Sequence, residues 1–180
     1  MNASFHLGRA LAAGALALLV GACGGFAVTH PKQPPLDPFG QPPATYAQVC
    51  VVRPAHIGAP LVFPVRDNGT LVGATRGPSY FCYLAGVGHH SITVEGAEPG
   101  EVRLTAQPVR RYFIEHEIAG NRRRLVAIDE SRARQILRDC DYAMIEAVPE
   151  GEAKPPAVPS VPGTGQATEG VSTTPLPPGL

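Results

Sequence analysis

The chain has 180 residues, with 15 basic side chains balanced by 15 acidic ones, 20 glycines, 20 prolines, four cysteines and no tryptophan. Zero net charge leaves no large basic field of the kind nucleic-acid binding needs, so no nucleic-acid partner is expected. Fourteen of the 20 prolines lie outside residues 46–148, six between Gly24 and Thr45 and eight from Pro149 onward, which leaves one compact stretch of 103 residues between two proline-rich flanks.

The chain opens with Arg9 in a polar head, then a ten-residue apolar run from Leu11 to Val20, then Gly21-Ala22 ahead of Cys23. A charged head, a short apolar run and small residues have the layout of a signal peptide, expected over residues 1–22. A retained spanning helix needs about 20 apolar residues, and this run closes too early. Leu19-Val20-Gly21-Ala22-Cys23 resembles the lipobox of bacterial lipoproteins, in which the cysteine is lipidated and becomes the new N-terminus. The resemblance implies a diacylglyceryl thioether on Cys23 and an N-acyl chain of the palmitate class. Two or more acyl chains, at about 0.8 kcal/mol per buried methylene, anchor a protein stably. The alternative is a plain secreted protein cut after Ala22. In enteric-type lipoproteins an Asp after the cysteine retains the protein at the inner membrane. Gly24 stands there in this chain, which points to the outer membrane, facing the periplasm.

Residues 23–45 then read as a lipidated cysteine and a proline-rich linker. Pro31, Pro34-Pro35, Pro38 and Pro42-Pro43 remove backbone donors and fix φ, which excludes helix and central strand. As a spacer, its 22 residues after Cys23 span roughly 70 Å in polyproline geometry, or nearer 25 Å as a flexible coil. The other flank, residues 149–180, mixes Pro, Gly, Ser and Thr with few large apolar residues and is expected to be disordered.

Between the flanks, residues 46–148 carry the period of strands. Val49 to Val52 and Leu61 to Arg66 read as buried strands, and Asn68-Gly69 supplies the two positive-φ residues of a type I′ hairpin before Leu71-Val72 returns. Ser79 to Leu84 is a further strand, and Gly86-Val87-Gly88 reads as the turn into His90 to Glu95, where Ile92 and Val94 share a face. Val102 to Ala106, Tyr112 to Ile118 and Arg124 to Ile128 continue the series, the last two joined through Ala119-Gly120-Asn121. About seven to eight short strands with turns at this spacing predict a mainly β fold, an antiparallel sandwich. Asp129 to Asp139 breaks the period: Asp129 is placed to N-cap, Glu130 and Arg134 pair at (i, i+4), and Ala133, Ile136, Leu137 and Cys140 fall on one face. One short C-terminal helix is therefore expected at the sheet edge, with Tyr142 to Val148 as a last strand or exit.

In their order, Arg53-Pro54, Asn68-Gly69-Thr70-Leu71-Val72-Gly73, Tyr80-Phe81, Gly88-His89-His90-Ser91-Ile92-Thr93-Val94 and Tyr112-Phe113 make residues 46–145 similar to an uncharacterised bacterial lipoprotein family. That family is the domain of unknown function 2846, whose sandwich resembles PEGA and carboxypeptidase-regulatory-type modules. The family usually places Pro-Gly before the histidine, where this chain has Val87-Gly88. The resemblance implies a fold and an envelope location, and no catalytic residues.

Three cysteines remain for an oxidising compartment, Cys50, Cys82 and Cys140, and all three pairings are open; a strand-to-strand Cys50–Cys82 bridge is the preferred pairing, and three buried thiols are an equal alternative to any bridge. His89-His90, with His56 or His116, invites a metal site, yet adjacent strand residues point to opposite faces and no HExxH or paired CxxC spacing accompanies them. No metal or cofactor is expected. His116 shares a face with Ile114 and Ile118, and its neighbours Glu115 and Glu117 point the other way. Arg110, Arg111, Arg122, Arg123 and Arg124 flank one hairpin, and brought to one end they would form a patch for an anionic envelope ligand. Against this, residues 46–148 hold 12 arginines and 11 acids, so a solvated hairpin end with local ion pairs is the competing account. The functional expectation is a membrane-anchored, non-catalytic module that docks an envelope protein or glycan. The alternative is a small envelope hydrolase or metal-binding enzyme built on His90 and His116.

Overall fold

The computed structural model describes residues 26–147 and 159–165. Residues 1–25, with the leader expected over 1–22 and the lipidation expected at Cys23, lie outside them. In chain order the strands are β1 (Phe26–Thr29), β2 (Tyr46–Arg53), β3 (Val62–Asp67), β4 (Thr70–Arg76), β5 (Ser79–Gly86), β6 (Gly88–Val94), β7 (Gly100–Ala106), β8 (Arg111–Ala119) and β9 (Arg122–Ile128). After helix α1 (Glu130–Ile136) and a 3-10 turn (Leu137–Asp139) come β10 (Asp141–Tyr142), β11 (Met144–Ala147) and β12 (Ser160–Val161). The eight strands β2 to β9 are those expected from alternation, and they form a mainly β sandwich. One sheet runs β10-β5-β2-β8-β9, with β12 also on β5; the other runs β4-β3-β6-β7; β1 and β11 make a small third pair.

The sandwich is mixed, not wholly antiparallel. The chain changes sheet after β2, β4, β5 and β7, so β8 re-enters beside the start of β2 and pairs with it in parallel, Gln48 against Arg111 through Val52 against Glu115. Main-chain bonds from Val109 N to Tyr46 O and from Gln48 N to Arg110 O hold that entry. Gly86-Val87-Gly88 is likewise no hairpin turn. It is a corner between sheets, since β5 pairs with β2, β10 and β12 while β6 pairs with β3 and β7. Apolar alternation reports which face a residue occupies; it carries no information on strand direction or partner. The Asn68-Gly69 hairpin does form, with φ of 48° and 81°, and closes Asp67 against Thr70.

Between the sheets, Val49, Val51, Phe81, Tyr83, Ile114 and Leu125 meet Phe63, Val65, Val72, Ile92 and Val94. The outer face of the first sheet is covered as well. Asp129 caps α1 by accepting from Arg132 N, and Ala133, Ile136 and Leu137 pack over Cys50, Val52, Cys82 and Phe113. The helix therefore lies across the sheet's face, not along its edge, because β2 and β8 present apolar side chains on both sides.

Residues 26–45 and 159–165 depart from expectation. Residues 26–45 do not stand off as a spacer: β1 pairs with β11 from Phe26 opposite Ala147 to Thr29 opposite Met144, at the periphery where prolines do no harm. Leu36 and Phe39 join the helix-covered cluster, and Phe39 lies between the Phe113 ring, 5.6 Å away, and the Arg134 guanidinium at 3.8 Å. Side chains reach in to the carbonyls of this donor-poor segment, Gln48 Nε2 donating to Asp37 O and Arg111 Nη1 to Phe39 O and Gly40 O. At the other end, residues 159–165 are docked, contrary to a wholly disordered tail. Val161 enters the core at 2% exposure, a burial that stabilises by roughly 1.5–3 kcal/mol. Residues 149–158 and 166–180 lie outside the described residues.

Candidate functional site

A shallow recess of about 340 Å³ lies on the outer face of the β6–β7 pair, at the end nearest the Asn68-Gly69 turn. Period two puts His89 and Ser91 of β6 on this face, directly opposite Thr105 and Arg103 of β7. His89 Nδ1 lies 3.0 Å from Thr105 Oγ1, while Ser91 Oγ donates to Glu101 Oε1, which also takes the Arg103 Nε–H at 2.7 Å. Those contacts hold the Glu101 carboxyl below the usual carboxylate range, with the hydrogen bond from Arg103 contributing most. Asn68 forms the wall: its Oδ1 accepts from Ser91 N, and its Nδ2 donates to His89 O and Pro162 O. Thr164 closes the rim.

Beneath this face lies a fully buried polar centre. Asp67 Oδ2 accepts from Tyr83 OH at 2.9 Å and lies 2.6 Å from His90 Nδ1, and His90 Nε2 lies 2.8 Å from Gly86 O. A carboxylate and a carbonyl can only accept, so both ring nitrogens of His90 donate and the ring is an imidazolium paired with Asp67. Burial by itself pulls the His90 pKa down, but the Asp67 hydrogen bond, the Gly86 carbonyl and the Asp67 charge outweigh it, leaving the value raised. The Tyr83 phenol is pushed well up by burial and then by the Asp67 charge and hydrogen bond.

A second interior centre gathers at the opposite end of β3. Phe63 has Arg53 and Arg123 guanidiniums 4.9 and 4.6 Å from its ring centroid and His116 edge-on at 5.4 Å. Arg53 is fully buried and donates to Leu61 O, Ile57 O and Gly58 O, so it pins the loop between β2 and β3 through main-chain carbonyls. His116 is bonded at Nδ1 to Thr75 Oγ1 at 3.0 Å, and burial, then the charges of Arg53 and Arg123, lower its pKa to about 3. It is a neutral ring.

Phe63 and Asp67 are four residues apart along β3, about 13 Å at the usual strand rise, so His116 and His90 occupy separate centres and share no cleft. The five arginines separate as well. An antiparallel hairpin brings together only residues that flank its turn: Arg122 to Arg124 pair with Ala119 to Glu117, while Arg111 begins β8 near the far end of β9. Arg111 joins Glu130 at 2.9 Å, Arg122 joins Glu98 at 3.3 Å, Arg124 lies 3.7 Å from Glu117, Arg123 turns toward Phe63, and Arg110 is exposed. The expected anionic-ligand patch is thus divided between two ends and largely ion-paired. Cys50 and Cys82 stand directly opposite on β2 and β5 and are disulfide-bonded beneath α1. Cys140 is a free thiol, and burial, then Asp139, Asp141 and Glu115, push its pKa up to about 11, which removes thiolate nucleophilicity at neutral pH.

Asp67, Tyr83 and Thr75 were not singled out by sequence reasoning, and Arg53 entered only through the Arg53-Pro54 pair of the resemblance, though period two marks them. Asp67 follows Phe63 and Val65 on one face, Tyr83 sits between Phe81 and Ala85, and Arg53 follows Val49 and Val51. A polar residue continuing an inward stripe is the signal that finds such a centre. Among the described residues no three His, Cys, Asp or Glu side chains are grouped to hold a metal ion. The recess offers hydroxyl, amide, imidazole and guanidinium groups on a rigid sheet, an arrangement for hydrogen bonding a polar ligand or an extended peptide. The chain matches no protein-family model, and neither curated proteins nor solved structures show a significant match to it.

Proposed function

We propose that the protein is a lipid-anchored module of the bacterial cell envelope, held through Cys23 in the outer membrane, with a non-catalytic sandwich that binds an envelope protein or glycan. The similarity of residues 46–145 to the domain of unknown function 2846 belongs to the same proposal. The observation that carries it is the Cys50–Cys82 bridge behind a signal-like leader that ends in Cys23: disulfides persist in oxidising compartments outside the cytoplasm. The fold alters the picture of the tether. Only Gly24 and Gly25 separate Cys23 from β1, and three Cα steps of 3.8 Å reach about 11 Å, so the lipid holds the sandwich close against the bilayer.

The β6–β7 recess is the binding face in this account, because its polar groups are exposed and fixed while the interior centres are sealed. Metabolic labelling with a fatty-acid analogue, followed by membrane fractionation, tests the anchor. Wild type is expected to carry label and sediment with the outer membrane; Cys23→Ser is expected to carry none and to be released. Unlabelled wild type, or label retained by Cys23→Ser, refutes the anchor.

A further inference from the structure

The segment at residues 159–165 is seated in a built groove at the corner between β5 and β6. Ser160 and Val161 add to the free edge of β5 in parallel, opposite Leu84 and Ala85, with Leu84 N donating to Pro159 O. The chain then crosses between the sheets at Pro162-Gly163, and Thr164 pairs with His89 of β6 through bonds in both directions, with its hydroxyl also donating to His89 O. Asn68 reaches Pro162 O from the side.

Three glycines record this docking in the sequence. A Cβ on Gly86 would lie 2.9 Å from Gly163 N and 3.1 Å from Pro162 Cα, and one on Gly88 would lie 2.8 Å from Gly165 O. Gly86 has no positive φ, so its own backbone does not require glycine; the segment laid across it does. Reciprocally, a Cβ on Gly163 would lie 2.1 Å from Val87 O. Val161 fills the apolar socket among core residues, and Pro159 and Pro162 pre-set an extended backbone, which lowers the entropy lost on docking. This is β-strand addition, in which edge hydrogen bonds supply affinity and a side-chain pocket supplies selection.

We propose that the β5–β6 corner is a peptide-binding site for an extended Pro-Ser-Val-Pro-Gly-Thr segment, filled in cis by this chain's tail and in trans by the same segment of a second copy. The ligand sequence is argued from the segment seated there. The reach is argued from the chain: 11 residues lie between Ala147 and Pro159, and about 3.3 Å per residue gives them a maximum span of roughly 40 Å. Exchange of an identical element between protomers is a low-cost route to assembly. The inference does not depend on the lipid anchor.

Two full-length variants test it by complementation. Val161→Asp with Gly163→Val leaves the groove intact and spoils the tail; Gly86→Val blocks the groove and leaves the tail intact. Each alone is expected to sediment as a monomer, and their mixture as a one-to-one dimer. A fluorescent peptide of residues 157–167 is expected to bind the spoiled-tail variant at least about tenfold more tightly than wild type, whose site is occupied in cis. The same peptide carrying Gly163→Val is expected not to bind. Folding is checked independently by inserting a protease site between Pro149 and Val158 of the wild type and cutting after purification. The released tail is then expected to exchange with labelled peptide. Failure of the labelled peptide to exchange onto the cut protein overturns the peptide site. Peptide exchange without dimer in the mixture of cooperatively unfolding variants overturns the second copy as partner.

Discussion

Acidification sets the buried His116 against itself, and substitution to phenylalanine isolates the effect. In the folded protein His116 takes up a proton only near pH 3, because burial and then the Arg53 and Arg123 charges oppose it, whereas an unfolded histidine does so near 6.5. Between those values the unfolded chain binds one proton more than the folded one, so stability rises with pH across this window and falls as pH drops. The limiting slope is about 1.4 kcal/mol per pH unit, and going from about pH 6.5, where it is half that, to about pH 4.5 costs roughly 2 kcal/mol. For a domain of this size that is on the order of 10 °C in Tm. Glu101 and Glu130 are held below the usual carboxylate range by their arginines, and because both proteins carry them, whatever they contribute on acidification is common to wild type and variant. His116→Phe keeps an aromatic ring against Phe63 but strands the Thr75 hydroxyl, so the variant is expected to lose about 1–3 kcal/mol at neutral pH. It should nevertheless lack the acid-dependent decrease. Circular-dichroism melts of both proteins at the two pH values, at fixed ionic strength, read the difference; an equal fall in Tm for wild type and His116→Phe would refute the reasoning.

On the alkaline side the sign reverses. The raised pKa of His90 means that the folded state holds an extra proton above about pH 6.5, so this contribution is full below that value and is lost as pH rises through the folded pKa. Asp67→Asn is expected to cost about 3–5 kcal/mol in urea unfolding near pH 6 and to flatten the alkaline slope; a slope as steep as wild type counts against the ion pair. Reduction of Cys50–Cys82, which closes a sequence separation of 32, is expected to cost about 4 kcal/mol. A melt in reductant that is unshifted, with thiol labelling showing that the bridge has opened, would contradict that figure.

How much was legible in the sequence differs from element to element. Inward and outward positions were readable from β3 to β9 because the side-chain period of a strand is local: Ile92 and Val94 share a face, His116 follows Ile114 inward, and Asn68-Gly69 makes its hairpin from two adjacent dihedrals. The helix was equally local, down to the Asp129 cap and the Glu130–Arg134 pair. The candidate face was readable only in part, since His89-His90 was noticed while its partners Thr105 and Arg103 lie across a strand pairing of distant residues.

Residue types alone thus determined a mainly β chain with one helix and a positive-φ turn, both consequences of neighbours within a few positions. Tertiary structure decided which strands pair, and with them everything that depends on long-range closure. It made β2 and β8 parallel, drew the five arginines apart, separated His90 from His116, and joined Cys50 to Cys82 among three open pairings. It also drew residues 26–45 and 159–165 onto the sandwich. Composition counts the donors a segment lacks, but a sheet edge with unpaired donors, and an apolar socket sized for Val161, exist only once the sheets have formed.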